Sequence, residues 1–315
     1  MKTVKALLCA SALLVAGTAY AQKDASRTTQ PRAKPRAVEA GGSVSGAPGT
    51  YTKATYPNSY VLRPLMLPEG MAQADSSLAI SNYRTLTATT NTGTNMNLGF
   101  DMGLVPRLQT GLLLSLPLTP DGGFGMLVGN AQYALAPFAN LRFDVGASRL
   151  SQQMAAMGNT TRTESTTGFV WGVGLPMKWR LSDSVAVTTG RSTASAFGVA
   201  SKVNGYLTTS DDIITMSSGS FTDMNGNSFS STMWTFGLPV GMLAQVHDRI
   251  GLGLRTGFRL LRGDGVADDT AIPMAFDLMT RVARPLDLGF TFELPGWTSD
   301  YGAIKNVNLW AQARF

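Results

Sequence analysis

The sequence predicts an all-β chain, a transmembrane antiparallel up-and-down β-barrel of about twelve strands. Three observations predict it. Segments of about ten to fourteen residues alternate apolar with polar or small side chains, and a period of two belongs to strands rather than helices. Their connections alternate short and long, as a meander through a bilayer requires. The last segment carries Val307, Leu309, Ala311, Ala313 and Phe315 on one face, and so alternates up to its final residue, where termini otherwise fray. A strand there must be paired, because bilayer hydrocarbon offers no water to an open edge.

Composition agrees. The chain has 315 residues, of which 15% are charged, below the roughly 25% of soluble domains. Residues 1–21 are expected to be a cleaved signal peptide: Lys2 and Lys5, an apolar run, then Ala19-Tyr20-Ala21 before Gln22. The apolar run is too short to span a bilayer as a helix, and no later run reaches that length. Cys9, the one cysteine, lies inside the run, so lipidation there would cut the signal in half. Beyond residue 21 no disulfide is expected.

The net charge of +6 belongs to the front of the chain. Residues 22–60 hold six basic and two acidic residues, whereas 61–315 balance at 18 and 18. A basic stripe on the folded body, which nucleic-acid binding would need, is therefore not expected. Residues 22–61, rich in Pro, Gly, Ser and Thr, read as a disordered basic periplasmic tail. That tail is either a plain spacer or an arm touching an acidic cell-wall polymer or lipid headgroup. Residues 62–315 form the barrel.

Twelve segments are predicted, at 71–84, 93–104, 107–118, 122–135, 139–150, 166–181, 184–200, 231–246, 249–261, 270–283, 286–296 and 304–315. "TNMNLGFDMGL" shows the pattern: Met96, Leu98, Phe100, Met102 and Leu104 face one way, Asn97, Gly99, Asp101 and Gly103 the other. Short breaks at 105–106, 136–138, 182–183, 247–248 and 284–285 are the expected periplasmic turns. The longest break, 201–230, is the expected extracellular loop. Parity turns Asp75, Asp101, Arg142, Asp144, Lys178, Arg180, Arg255, Arg259, Asp277, Arg281, Asp287, Glu293 and Arg314 into the lumen. These charges either form salt bridges that fill the barrel, or oppose one another across a constriction. In the second case Lys178, Arg180, Arg255, Arg259 and Arg281 would face Asp277, Asp287 and Glu293. Inward glycines, Gly251 and Gly289 among them, favour luminal space but also ease curvature.

With these segments the chain resembles Gram-negative outer-membrane β-barrel proteins, over about 62–315 and at the level of architecture. In that class a C-terminal Phe with alternating apolar residues resembles the signal read by the barrel-assembly machinery. Phe315, Leu309 and Val307 match it, while Ala311 and Ala313 stand where bulkier residues are common. The segment "LRPLMLPEGM" resembles the lead-in to the first strand of some barrel proteins. The resemblance implies an outer-membrane location, with outer-membrane lipid, lipopolysaccharide and the assembly machinery as partners. Known barrel enzymes of this class use histidine, paired with Ser or Asp, because a hydroxyl or water needs a base titrating near neutrality. This chain has only His247, in the predicted periplasmic turn "AQVHDRIG", so no enzyme activity is expected. An autotransporter would have a passenger of only about 40 residues and no helical segment to thread the pore.

No cofactor is expected, and no metal site. Asp264, Asp268 and Asp269 in "RLLRGDGVADDTA" could attract a hard cation, but they read more simply as solvated turn carboxylates. The expected function is a channel for small polar solutes. The alternative is a plugged structural or surface-binding barrel that uses loop 201–230. Strand count does not choose, because about eight strands leave room for side chains only and about sixteen leave a channel.

Overall fold

The computed structural model describes residues 50–84, 90–119, 123–156, 160–189, 201–203, 206–208, 212–222, 227–263, 266–294 and 302–315. These residues hold a closed antiparallel barrel of twelve strands and no helix. In chain order the strands are β1 (Ala72–Arg84), β2 (Thr90–Val105), β3 (Leu108–Thr119), β4 (Met126–Ala136) and β5 (Ala139–Ala156). Then come β6 (Thr160–Gly174, continued by Met177–Arg180), β7 (Val185–Thr189, resumed by Asp212–Thr222) and β8 (Ser228–His247). The circuit ends with β9 (Ile250–Gly263), β10 (Val266–Ala271 and Met274–Ala283), β11 (Leu286–Leu294) and β12 (Gly302–Arg314).

Closure falls on the final strand. β12 pairs with β1 from Gln73↔Arg314 to Arg84↔Gly302 and with β11 on its other side. Ala72 and Phe315 exchange two main-chain hydrogen bonds of 2.9 Å each, so the last residue is held inside the ladder. The Phe315 ring lies outside, 6.4 Å from that of Phe100, with Leu309 exposed and Val307 partly so.

Burial is inverted relative to a soluble sandwich. Outward apolar side chains such as Leu112, Phe143, Phe169, Leu238, Leu254 and Leu309 are exposed around the circumference. The buried set is largely polar, including Asn97, Ser115, Asn130, Asp277 and Thr291. A continuous apolar belt of this extent is unstable in water and suited to lipid. Aromatic pairs mark its edges: Trp171 edge-on to Trp234 at 5.6 Å, and Phe138 stacked on Trp179 at 6.1 Å near the short turns. Eight residues of β6 separate Trp171 from Trp179. At about 3.3 Å per residue and a tilt of about 40°, that is about 20 Å along the axis, close to the apolar height of such barrels.

All five predicted short turns are present, at 106–107, 137–138, 181–184, 248–249 and 284–285. Two expectations at the other end are corrected. The 151–165 stretch, the break between the predicted segments 139–150 and 166–181, is not a loop: β5 and β6 keep pairing from Ser151↔Ser165 to Ala156↔Thr160. Its Ser, Thr and Gln residues carry no apolar alternation, yet their main chain still pairs. The 184–200 strand and the 201–230 loop are also redrawn. β7 is described over Val185–Thr189, residues 190–200 of the expected strand lie outside the described residues, and Asp212–Thr222 resumes it, pairing with β6 and β8. Between those pieces Ser201–Val203 pairs with Tyr206–Thr208 in a two-stranded sheet of its own. Pro176 lies between the two pieces of β6, and Pro239, paired with Gly257 on β9, lies between the β8 residues that pair with the two pieces of β7, where a residue without an N–H leaves no donor unmet.

Candidate functional site

The short-turn end of the lumen is occupied by the chain's own segment ahead of β1. The tail expected over 22–61 is corrected only at its end, since Tyr56, Tyr60 and Val61 are buried, followed by Arg63, Leu65, Met66 and Leu67, while residues 22–49 lie outside the described residues. "YPNSYVLRPLML" lacks strand periodicity but is rich in large apolar side chains, and a chain of that composition buries them when a cavity is offered. Gly70, at φ 70°, turns the segment into β1, in a left-handed conformation that favours glycine.

Side chains from around the wall hold the segment. Lys178 on β6 donates to the carbonyls of Tyr60 at 2.8 Å and Arg63 at 2.9 Å. Gln245 on β8 accepts from the Tyr60 N–H at 2.7 Å and from the Ser59 hydroxyl at 3.2 Å. Gln109 on β3 accepts from the Leu67 N–H at 2.7 Å, and Gln132 on β4 donates to the Leu65 carbonyl at 3.0 Å. From β11, Asp287 takes both ends of the Arg63 guanidinium, at 2.5 and 3.3 Å. Arg314 on β12 also reaches Asp287, at 2.7 Å. The Arg63 guanidinium lies 4.2 Å from the centre of the Tyr60 ring. At the rim, Arg284 donates to the Ala54 carbonyl.

Tyr60 and Val61 pack on Ala186, Leu243 and Met279, with Trp310 against the cluster. The inward glycines make this fit possible and do not leave open space. A Cβ on Gly251 would stand 2.6 Å from the Tyr60 ring, and one on Gly289 would stand 2.1 Å from Trp310. Burial raises the Tyr60 hydroxyl above the ordinary tyrosine range, and the Asp287 carboxylate pushes the same way. Burial likewise raises Tyr56.

Above the segment, the charges predicted to face inward do so, but they pair along the wall instead of across it. Arg255 on β9 holds Asp277 on β10 through two bonds of 2.9 and 3.1 Å. Thr291 on β11 donates to the same carboxylate at 2.7 Å, and Trp310 donates to Thr291 at 3.3 Å. Glu293 accepts from Asn306 at 3.4 Å, with Arg259 buried on β9. Arg142 and Asp144, two residues apart on β5, bond twice at 2.8 Å. Gln312 and Gln73 both donate to Asp75. Arg180 turns to the exposed Asp183 at 3.8 Å, and Arg281 is half-buried near the short turns. Lys178 and Asp287 serve the N-terminal segment. The side of the lumen formed by β1–β4 presents hydroxyls and amides, with Asn97 bonded to Ser77 at 3.1 Å, together with the buried carboxylates of Asp75 and Asp101.

His247 is exposed in its turn, its Nδ1 accepting from the Arg249 N–H at 3.3 Å. Asp264 lies outside the described residues, as do the side chains of Asp268 and Asp269. Sequence reading missed Tyr56, Tyr60, Arg63, Gln109, Gln132 and Gln245. The segment "YPNSYVLRPLML", with its large apolar side chains, was the signal that could have found the first three. The glutamines carried none, because an inward amide on a strand looks like any luminal residue.

No protein-family model and no curated protein sequence matches the chain. Solved structures do. The translocator domain of the autotransporter NalP from Neisseria meningitidis is similar with a TM-score of 0.52 at 10% identity, over 78% of this chain and 88% of that one. An outer membrane channel from Pseudomonas putida F1 is similar with a TM-score of 0.51 at 12% identity, over 79% and 97%. At these identities the likeness is one of fold. Together with the lipid-facing belt and the closed twelve-stranded wall, it shows that the chain has the fold of outer-membrane β-barrel proteins, of no particular subfamily.

Proposed function

We propose that the protein is a channel for small polar solutes whose periplasmic end is closed, in this resting form, by its own N-terminal segment. The observation that carries the reading is how the segment is attached. It contributes no strand to the barrel ladder, and wall side chains grip it mostly by its main chain. It can therefore leave toward the periplasm without breaking the pairing that closes the barrel. The lumen behind it is lined by hydroxyls, amides, ion pairs and the carboxylates of Asp75 and Asp101, which suits small polar solutes better than apolar ones. On this reading the protein is not an enzyme. Its partners are outer-membrane lipid, lipopolysaccharide and the assembly machinery, which would read Phe315, Leu309 and Val307.

The complete burial of Tyr60, Val61 and Arg63 favours a second reading, a permanently stoppered structural barrel. Single-channel recording in planar bilayers separates the two. The channel reading expects rare, brief openings from the intact protein and frequent ones from the Arg63→Ala variant. A folded Arg63→Ala barrel whose segment is protease-accessible, yet which never conducts, leaves only the structural reading.

A further inference from the structure

The wall residues that hold the N-terminal segment address five of its main-chain groups between Tyr60 and Leu67: three carbonyls and two N–H groups. Main-chain groups are common to every polypeptide, so these contacts do not depend on the segment's sequence. Beside the Ser59 hydroxyl on Gln245 and Val61 in its apolar cluster, two features read large side chains. One is the hollow formed at Gly251 and Met279, which takes the Tyr60 ring. The other is the Asp287 carboxylate, which takes the guanidinium three residues later. Lys178, Gln109, Gln132 and Asp287 are all buried, so these groups are already positioned. The segment joins the barrel only through Glu69–Met71, where Glu69 and Gly70 are exposed.

We infer that the periplasmic end of the lumen is a polypeptide-binding site, one that accepts a non-helical segment carrying an aromatic residue and, three positions on, an arginine. The chain's own segment fills the site in the resting protein. A segment of the same pattern from another polypeptide would compete for it from the periplasmic side. The inference rests on the segment being displaceable, which the proposed function also requires, but it is tested by binding and not by conductance.

The folded, full-length protein is cut after Glu69 by a glutamate-specific protease or at a protease site inserted there. The severed segment is then diluted away, and a fluorescent peptide of residues 52–67 is added back in detergent. Saturable binding is expected, about tenfold or more weaker when the peptide carries Arg63→Ala or the barrel carries Asp287→Asn, from loss of a charge-assisted pair. A second arm needs no cut: the full chain carrying Tyr60→Ala and Arg63→Ala should bind the same peptide in trans. Absence of saturable binding in both arms, with the barrel folded by heat-modifiability, overturns the proposal. Binding that is indifferent to Arg63 and Asp287 overturns the aromatic-to-arginine pattern.

Discussion

Arg63→Ala is the most informative single change. Arg63 gives Asp287 two charge-assisted hydrogen bonds, at 2.5 and 3.3 Å, and stacks on Tyr60 at 4.2 Å. Removing it does not orphan Asp287, because Arg314 stays 2.7 Å away. The penalty of a stranded buried charge is thereby avoided, and the loss is about 1.5–2 kcal/mol for the bonds plus about 0.5–1 kcal/mol for the stacking. A total of about 2–3 kcal/mol moves the seated-to-released equilibrium by roughly 30- to 150-fold, while the strand pairing is untouched. The assay is limited proteolysis of residues 50–69 in the folded protein, read beside bilayer conductance. Cleavage should accelerate by that factor, with the heat-modifiable shift of the barrel unchanged. If cleavage and conductance both match the unaltered protein, the Arg63–Asp287 pair does not seat the segment and the account fails. Asp287→Ala should be worse, because Arg63 and Arg314 would then lose their shared partner inside the barrel.

Three further outcomes are expected. Because the folded-state pKa of Tyr60 is raised, the seated form is favoured while the hydroxyl is protonated. Seating should hold up to about pH 10, the ordinary tyrosine value, and weaken above it; a pH titration of segment proteolysis that loosens below neutrality instead would contradict this. Gly251→Val places carbon where Tyr60 lies, only 2.6 Å from a Cβ, at an overpacking cost of about 1–3 kcal/mol. It should release the segment as Arg63→Ala does, whereas Gly123→Val, at the opposite end of the barrel, should not. Deleting Phe315 removes two main-chain bonds to Ala72 and the contact with Phe100, about 1–3 kcal/mol at the seam for the bonds alone. Membrane-inserted, heat-modifiable protein should fall in yield, and undiminished assembly would count against Phe315 as a closing residue.

The strand pattern was legible wherever bulky apolar residues alternate, as in Leu286–Leu294, because a lipid-facing wall demands apolar residues at every second position. It was illegible where Ser, Thr and Gly replace them. Asp212–Thr222 turns Thr215, Ser217 and Gly219 inward beside Ser218 and Ser220, and that blurred contrast read as a loop. Inward charges were legible by parity, since a one-residue shift would put them into lipid. Their partners were not. Arg255 and Asp277 sit 22 positions apart and meet only because β9 and β10 pair with Gly253 opposite Asp277.

What the amino-acid sequence determines alone is the solvent each face meets. Period-two alternation and the position of short turns are local properties, and they dictate a membrane barrel, its strand directions and its closing strand. What only the tertiary structure decided is the state of the lumen. Whether inward charges oppose or cancel depends on which strands become neighbours. Whether the end is open depends on a segment that packs against residues from 42 to 258 positions away. Contacts at such separations come from closing the ring and leave no periodic trace in the chain.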